Sequence, residues 1–357
     1  MIRKLIYICA AVALFPTMAN ALVVESGDFY DEVLRLKNLA FQENSGDYVP
    51  PSTTQRADFR ALAQSLYDND WSTAETQAAA LGYELVKFTN TTSGSTYWGV
   101  REVLVNNAQT KGWGSYFINE DYLTTVTVEV PHPVHDTNTH RLGARVFEDA
   151  DARGFMLAGS HRSANGSQTA NPTSLAYSIF QEVHEVWNGG YGDSTAWQLH
   201  GYGSGTADHF PDDTDAVLSD GDGNVTVELQ LLDAALEGIN VFGDAYVFNQ
   251  LVMTDPLNEG VNGVGVDGYS PFWRLGARNN PQGQYSRDQG GTFVHAEFSN
   301  YMRTTPTRRD QLLAEAIVGV IQATATVQQS VDVPSPAPFM PMLAGLGFLA
   351  LRRKNKK

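Results

Sequence analysis

Thr124-Thr125-Val126-Thr127-Val128-Glu129-Val130-Pro131-His132-Pro133-Val134-His135-Asp136-Thr137-Asn138-Thr139 is the stretch on which the fold turns. Its first seven residues are rich in β-branched side chains, which suit a strand. A proline follows at once and ends the ladder. The chain then runs straight into His-x-x-His-Asp. A helix is expected over 142–150 and a short buried strand over 154–159.

The same alternation continues on both sides. Downstream, helical spacing recurs over 175–187, 225–237 (in part) and 308–324, and extended runs over 195–199, 245–251 and 292–298. Upstream, 97–105 and 116–117 read as extended. Residues 22–95 read as a mainly helical N-terminal region, with Phe59, Leu62, Leu66 and Tyr67 at helical spacing, packed on an α/β domain over 96–330. The expected fold is α/β, a mixed and mainly parallel sheet flanked by helices. Ligands collect at the carboxyl ends of strands in such sheets, so strand ends carrying reactive side chains are informative.

Four strand ends do so. The first delivers His132, His135 and Asp136. His132 and Asp136 could share a metal, with His135 as the competing ligand, or the polar residues could cap the next helix. The second, Phe155-Met156-Leu157-Ala158-Gly159-Ser160-His161-Arg162, places a guanidinium where it suits a substrate carboxylate, or alternatively a structural ion pair. The third, Ala196-Trp197-Gln198-Leu199-His200-Gly201, ends in another imidazole, with Gly201 leaving space beside the ring. The fourth, Gly291-Thr292-Phe293-Val294-His295-Ala296-Glu297-Phe298, sets Phe293, His295 and Glu297 on one face. A carboxylate there is desolvated and suits general base work, unless it only pairs with Arg303.

Composition narrows the chemistry. Charged residues make up 18% of the 357 and hydrophobic ones 42%, which excludes both a disordered chain and a polytopic membrane protein. The net charge is −16, and basic residues gather at the ends (Arg3, Lys4, Arg352, Arg353, Lys354, Lys356, Lys357), so the body is more acidic still. Nucleic acid is not an expected partner. The only cysteine, Cys9, lies in an apolar run over 1–21 that reads as a secretory signal with an Ala19-Asn20-Ala21 cleavage site. A metal in the mature chain must then sit on His, Asp or Glu. Asp220-Gly221-Asp222-Gly223-Asn224 lacks the downstream Glu of a calcium loop and reads as an acidic turn.

The closing segment, 331–357, runs Val333-Pro334-Ser335-Pro336, an apolar stretch over 339–351 and a basic end. It resembles the PEP-CTERM sorting tail of Gram-negative bacteria, with Val-Pro-Ser-Pro where that family has Val-Pro-Glu-Pro. The resemblance implies an exported protein, at the periplasm or cell surface, transiently held in the membrane and processed by exosortase-type machinery.

The four islands, spread over about 95–325, resemble the zinc carboxypeptidase-like superfamily. Within it they are similar to phage-type poly-gamma-glutamate hydrolases and N-formylglutamate amidohydrolases. The matching residues are Pro131-His132 with Asp136 and Thr139, then His200-Gly201, then His295-Ala296-Glu297-Phe298-Ser299 with Met302-Arg303. The resemblance implies Zn2+ held by His132, Asp136 and His200. It implies cleavage of an amide, peptide or gamma-glutamyl, by metal-activated water, with Glu297 as general base. Arg162 then orients a substrate carboxylate or steadies the oxyanion, with Arg303 and Arg287 as further candidates. The substrate is a small peptide or carboxylate-bearing molecule. The rival expectations are a non-catalytic cell-surface or matrix binding protein on a hydrolase fold, and a zinc esterase or deacylase.

Overall fold

The computed structural model describes residues 22–189, 194–203, 214–247, 275–304 and 308–331. The expected leader, the tail beyond residue 331 and the distal part of the strand expected over 245–251 lie outside them. Among the described residues no helix is long and apolar enough to cross a membrane.

Among the described residues ten strands form one mixed sheet: β1 (Val23–Gly27), β2 (Tyr83–Asn90), β3 (Thr96–Glu102), β4 (Ser115–Asn119), β5 (Thr124–Val130), β6 (Ala152–Leu157), β7 (Thr195–Tyr202), β8 (Thr214–Ser219), β9 (Asp244–Val247) and β10 (Thr292–Ser299). Their order is β1-β2-β3-β4-β6-β5-β7-β10-β8-β9. The centre, β6-β5-β7-β10, is parallel throughout, whereas β2-β3-β4-β6 and β10-β8 pair antiparallel. The helices are α1 (Phe29–Leu39), α2 (Thr53–Tyr67), α3 (Trp71–Ala80), α4 (Thr139–Asp149), α5 (Ile179–Trp187), α6 (Val227–Glu237), α7 (Pro281–Asp288), α8 (Asn300–Arg303) and α9 (Arg309–Val331). Residues 22–95, read as mainly helical, hold α1, α2 and α3, and they also supply β1 and β2 to the same sheet. The boundary expected at 95/96 falls inside the β2–β3 pair.

Strand alternation sorts the sheet into two faces. One carries Val126, Val128 and Val130 of β5, Trp197 and Leu199 of β7, and Val294, Ala296 and Phe298 of β10. These pack in one core with Val33 of α1, Phe147 of α4, Leu232 of α6 and Ile317 of α9. Phe29 anchors the outer half of that core. Its ring meets those of Phe88, Tyr97, Phe117, Phe147 and Phe155 at 4.8–5.8 Å, and its burial contributes about 2–3 kcal/mol. On the opposite face Tyr83, Leu85, Val100, Tyr116 and Met156 pack with Phe59 and Leu62 of α2, Ala74 of α3, and Phe180 and Val183 of α5. Helices therefore cover both faces.

Local chemistry fixes the helix starts that matter for the site. Ser178 caps α5 by accepting from Gln181 N–H at 3.1 Å. Asn280 caps α7, its Oδ1 accepting from the N–H groups of Gln282 and Gly283, with Pro281 preset at the first helical position.

Candidate metal centre

β5 ends at Val130, and the chain turns at once. The Asp136 N–H donates to the His132 carbonyl at 2.8 Å. This turn brings the two side chains together, with His132 Nδ1 3.2 Å from Asp136 Oδ2. From β7, His200 Nδ1 lies 3.2 Å from the same oxygen, and the Gly201 N–H donates to it at 3.2 Å. His132, Asp136 and His200 are buried, and their ligand atoms lie close enough to hold one metal ion. His200, His295 and Glu297 form a second such group, sharing His200. The register explains this: Glu297 is level with His200 on the neighbouring parallel strand. The His200 and His295 rings sit 4.5 Å apart, and His295 Nε2 is 3.8 Å from Glu297 Oε1. Strand alternation sets His295 on the same face as Glu297 in the sequence, and the β7–β10 register puts both beside His200.

The donor set suits zinc, which takes imidazole nitrogen and carboxylate oxygen. The far sides of the two imidazoles are tied as metal-ligating histidines usually are. His132 Nε2 meets Asn171 Oδ1 at 2.7 Å. That oxygen also accepts from the Thr173 N–H at 3.2 Å, so it is an acceptor and His132 carries a proton on Nε2. Its Nδ1 faces Asp136. The competing cap reading fails here: Asn138 occupies the N-cap position of α4, and Thr139 Oγ1 donates to the Asp136 carbonyl, not its carboxylate.

Burial shapes the charges. It lowers His200 to about 4 and His295 well below the usual imidazole range. Burial also opposes the Asp136 charge, but the His132 and His200 rings beside it together more than reverse that and hold the carboxyl low. Glu297 goes the other way, pushed well up by burial and then by the Asp136 charge. One carboxylate is thus kept charged and its neighbour is kept basic, the division of labour a metal ligand and a proton-transfer group need.

His135 points away from the triad. Its Nδ1 lies 3.1 Å from His161 Nε2, and His161 Nδ1 accepts from the Ser163 N–H at 3.1 Å. Asp136, not His135, completes the buried set with His132 and His200. Arg162 follows His161 and is half-buried. It is near enough to His200 and Glu297 to act on their charges, and no described carboxylate forms an ion pair with it. The other two arginines have different work. Arg303 is buried, and its guanidinium donates to the carbonyls of Phe298, Ser299, Thr137 and Tyr202, clamping the ends of β10 and β7 to the loop after β5. The alternative ion pair with Glu297 is not formed, and three of its five N–H groups are taken by backbone carbonyls. Arg287, on α7, donates to the Asp220 carbonyl and steadies the acidic turn. That turn is closed by Asp220 Oδ1 accepting from the N–H groups of Asp222, Gly223 and Asn224.

No protein-family model matches this chain, and no curated protein matches it in sequence.

Proposed function

We propose that the chain is an exported zinc-dependent hydrolase that cleaves an amide bond, peptide or gamma-glutamyl, in a carboxylate-bearing substrate. One observation carries this reading. Two imidazoles and a carboxylate converge at the carboxyl ends of β5 and β7, with the basic Glu297 on the next strand beside them. The resemblance to zinc carboxypeptidase-like enzymes supports it, since a mixed sheet with helices on both faces is the architecture that resemblance implies.

His132, Asp136 and His200 would hold the ion, whose chemistry is to polarise the carbonyl and acidify a water. Glu297 accepts the proton of the attacking water on its carboxylate. It returns that proton to the leaving nitrogen, so that water is added across the C–N bond. Arg162 grips the substrate carboxylate through two N–H groups. Burial of Glu297 keeps competing water away from the transferred proton.

The test is a panel of gamma-glutamyl, peptidoglycan-type peptide and ester substrates offered to the zinc-loaded chain. Glu297→Gln should retain zinc and lose turnover by about 10²–10⁴-fold. Unchanged turnover in that variant removes Glu297 from the mechanism, and ester cleavage alone replaces the amide assignment by an esterase.

A further inference from the structure

Beneath the metal centre lies a row of buried polar groups for which the hydrolase reading has no use. Glu129 of β5, Gln198 of β7 and His295 of β10 are level with one another on adjacent parallel strands. Glu129 and Gln198 are fully buried, as are His184 of α5 and Gln282 of α7. Buried charge in a core is costly unless it is bonded and serves a purpose. Here Glu129 and Asn280 both bond to one amide, that of Gln198. Gln198 Nε2 donates to Glu129 Oε2 at 2.9 Å, and Glu129 Oε1 is 2.5 Å from His184 Nδ1. Asn280 Nδ2 donates to Gln198 Oε1 at 2.5 Å.

The orientation of that amide is fixed from both ends. Asn280 Oδ1 accepts from the backbone N–H groups of Gln282 and Gly283, so its Nδ2 can only donate. A carboxylate at Glu129 can only accept. Gln198 must therefore present its oxygen upward. His200 Nε2 lies 2.9 Å from that oxygen.

From this geometry we infer that Gln198, held by Glu129 and the α7 cap Asn280, is the positioning residue that keeps the His200 proton on Nε2 and so reserves Nδ1 for a metal ion beside Asp136. The relay rests on the proposed metal centre but acts without it, because the amide is oriented by protein groups alone. It gives the buried Glu129 a purpose: its carboxylate anchors the amide that sets the ligand.

Two-bond nitrogen–proton correlation NMR of the full chain, labelled in histidine and freed of metal, reads the tautomer directly. Wild-type His200 should carry a proton on Nε2 donated to Gln198, whatever its Nδ1 shares with Asp136, and a bare Nε2 would overturn the inference. Gln198→Leu should release His200 to a mixture of tautomers and weaken binding of zinc alone by about 10–100-fold. His184→Gln is the structural control. It disturbs the same buried network, yet leaves Gln198 on His200, so zinc binding should stay within about threefold. Equal weakening in both variants with an unchanged tautomer would reduce Gln198 to packing. If wild type binds no zinc while His200 holds its Nε2 proton, the hydrolase reading fails and the relay stands.

Discussion

Arg303 and Gly201 show how far a single residue's role depends on its surroundings. A Cβ built on Gly201 would collide with the Arg303 guanidinium carbon and its Nε. The glycine therefore does more than leave space beside the His200 ring. It makes room for the buried cation that ties two strand ends to the loop after β5. Gly201→Ala should expel that guanidinium from its carbonyl partners and cost about 2–4 kcal/mol of unfolding free energy, read by urea denaturation. A loss below about 0.5 kcal/mol would mean the clamp is unimportant. At this scale the sequence is uneven. His132, Asp136, His200 and Glu297 stand out because each closes or follows an apolar run, and a desolvated strand end is legible as such. Arg303 looks like Arg162 in the sequence, because its partners are backbone carbonyls donated by distant segments. The Glu129–Gln198–Asn280 relay was equally hidden: nothing in Gln198 alone announces a buried acceptor.

Among the elements, α4 carries the loop of the metal centre at one end and a strained charge at the other. Glu148 accepts from Asn90 at the end of β2 and is pushed to about 7, by burial first and then by Asp28 and Asp149, from a reference value of 4.5. Between those two values the unfolded chain releases a proton that the folded chain keeps. Stability therefore falls as pH rises from about 4.5 to about 7. Glu148→Gln should remove this fall and gain about 1–3 kcal/mol at pH 8, measured by thermal or urea unfolding across that window. A variant that keeps the wild-type slope would place the titration elsewhere. The strands β5, β6, β7 and β10 were readable from their β-branched or apolar runs. β2 was not, because Tyr83–Asn90 follows an alanine-rich helix and mixes Glu84 and Lys87 into its alternation. β8 was masked by the aspartates beside it, which read as a turn. β1 has only five residues, and its exposed alternate positions leave little pattern.

On the scale of the whole molecule, sheet order is what assembles the site, and order is the property a sequence displays least. β5, β7 and β10 are adjacent although about 160 residues separate the first from the last, so His132, His200 and Glu297 meet only through the parallel centre. Helices on both faces then bury the polar row beneath them, and that burial gives Glu297 its basicity and His200 its neutrality. If the centre takes zinc, a free concentration a hundredfold above the dissociation constant adds about 2.7 kcal/mol to folding stability. The most direct measurement is the metal content of the protein, purified without chelator or immobilised metal, by plasma mass spectrometry. About one zinc per chain, lost in His132→Ala, is the result expected. Absence of any transition metal, even after refolding with zinc, would contradict the metal centre on which the proposed hydrolase rests.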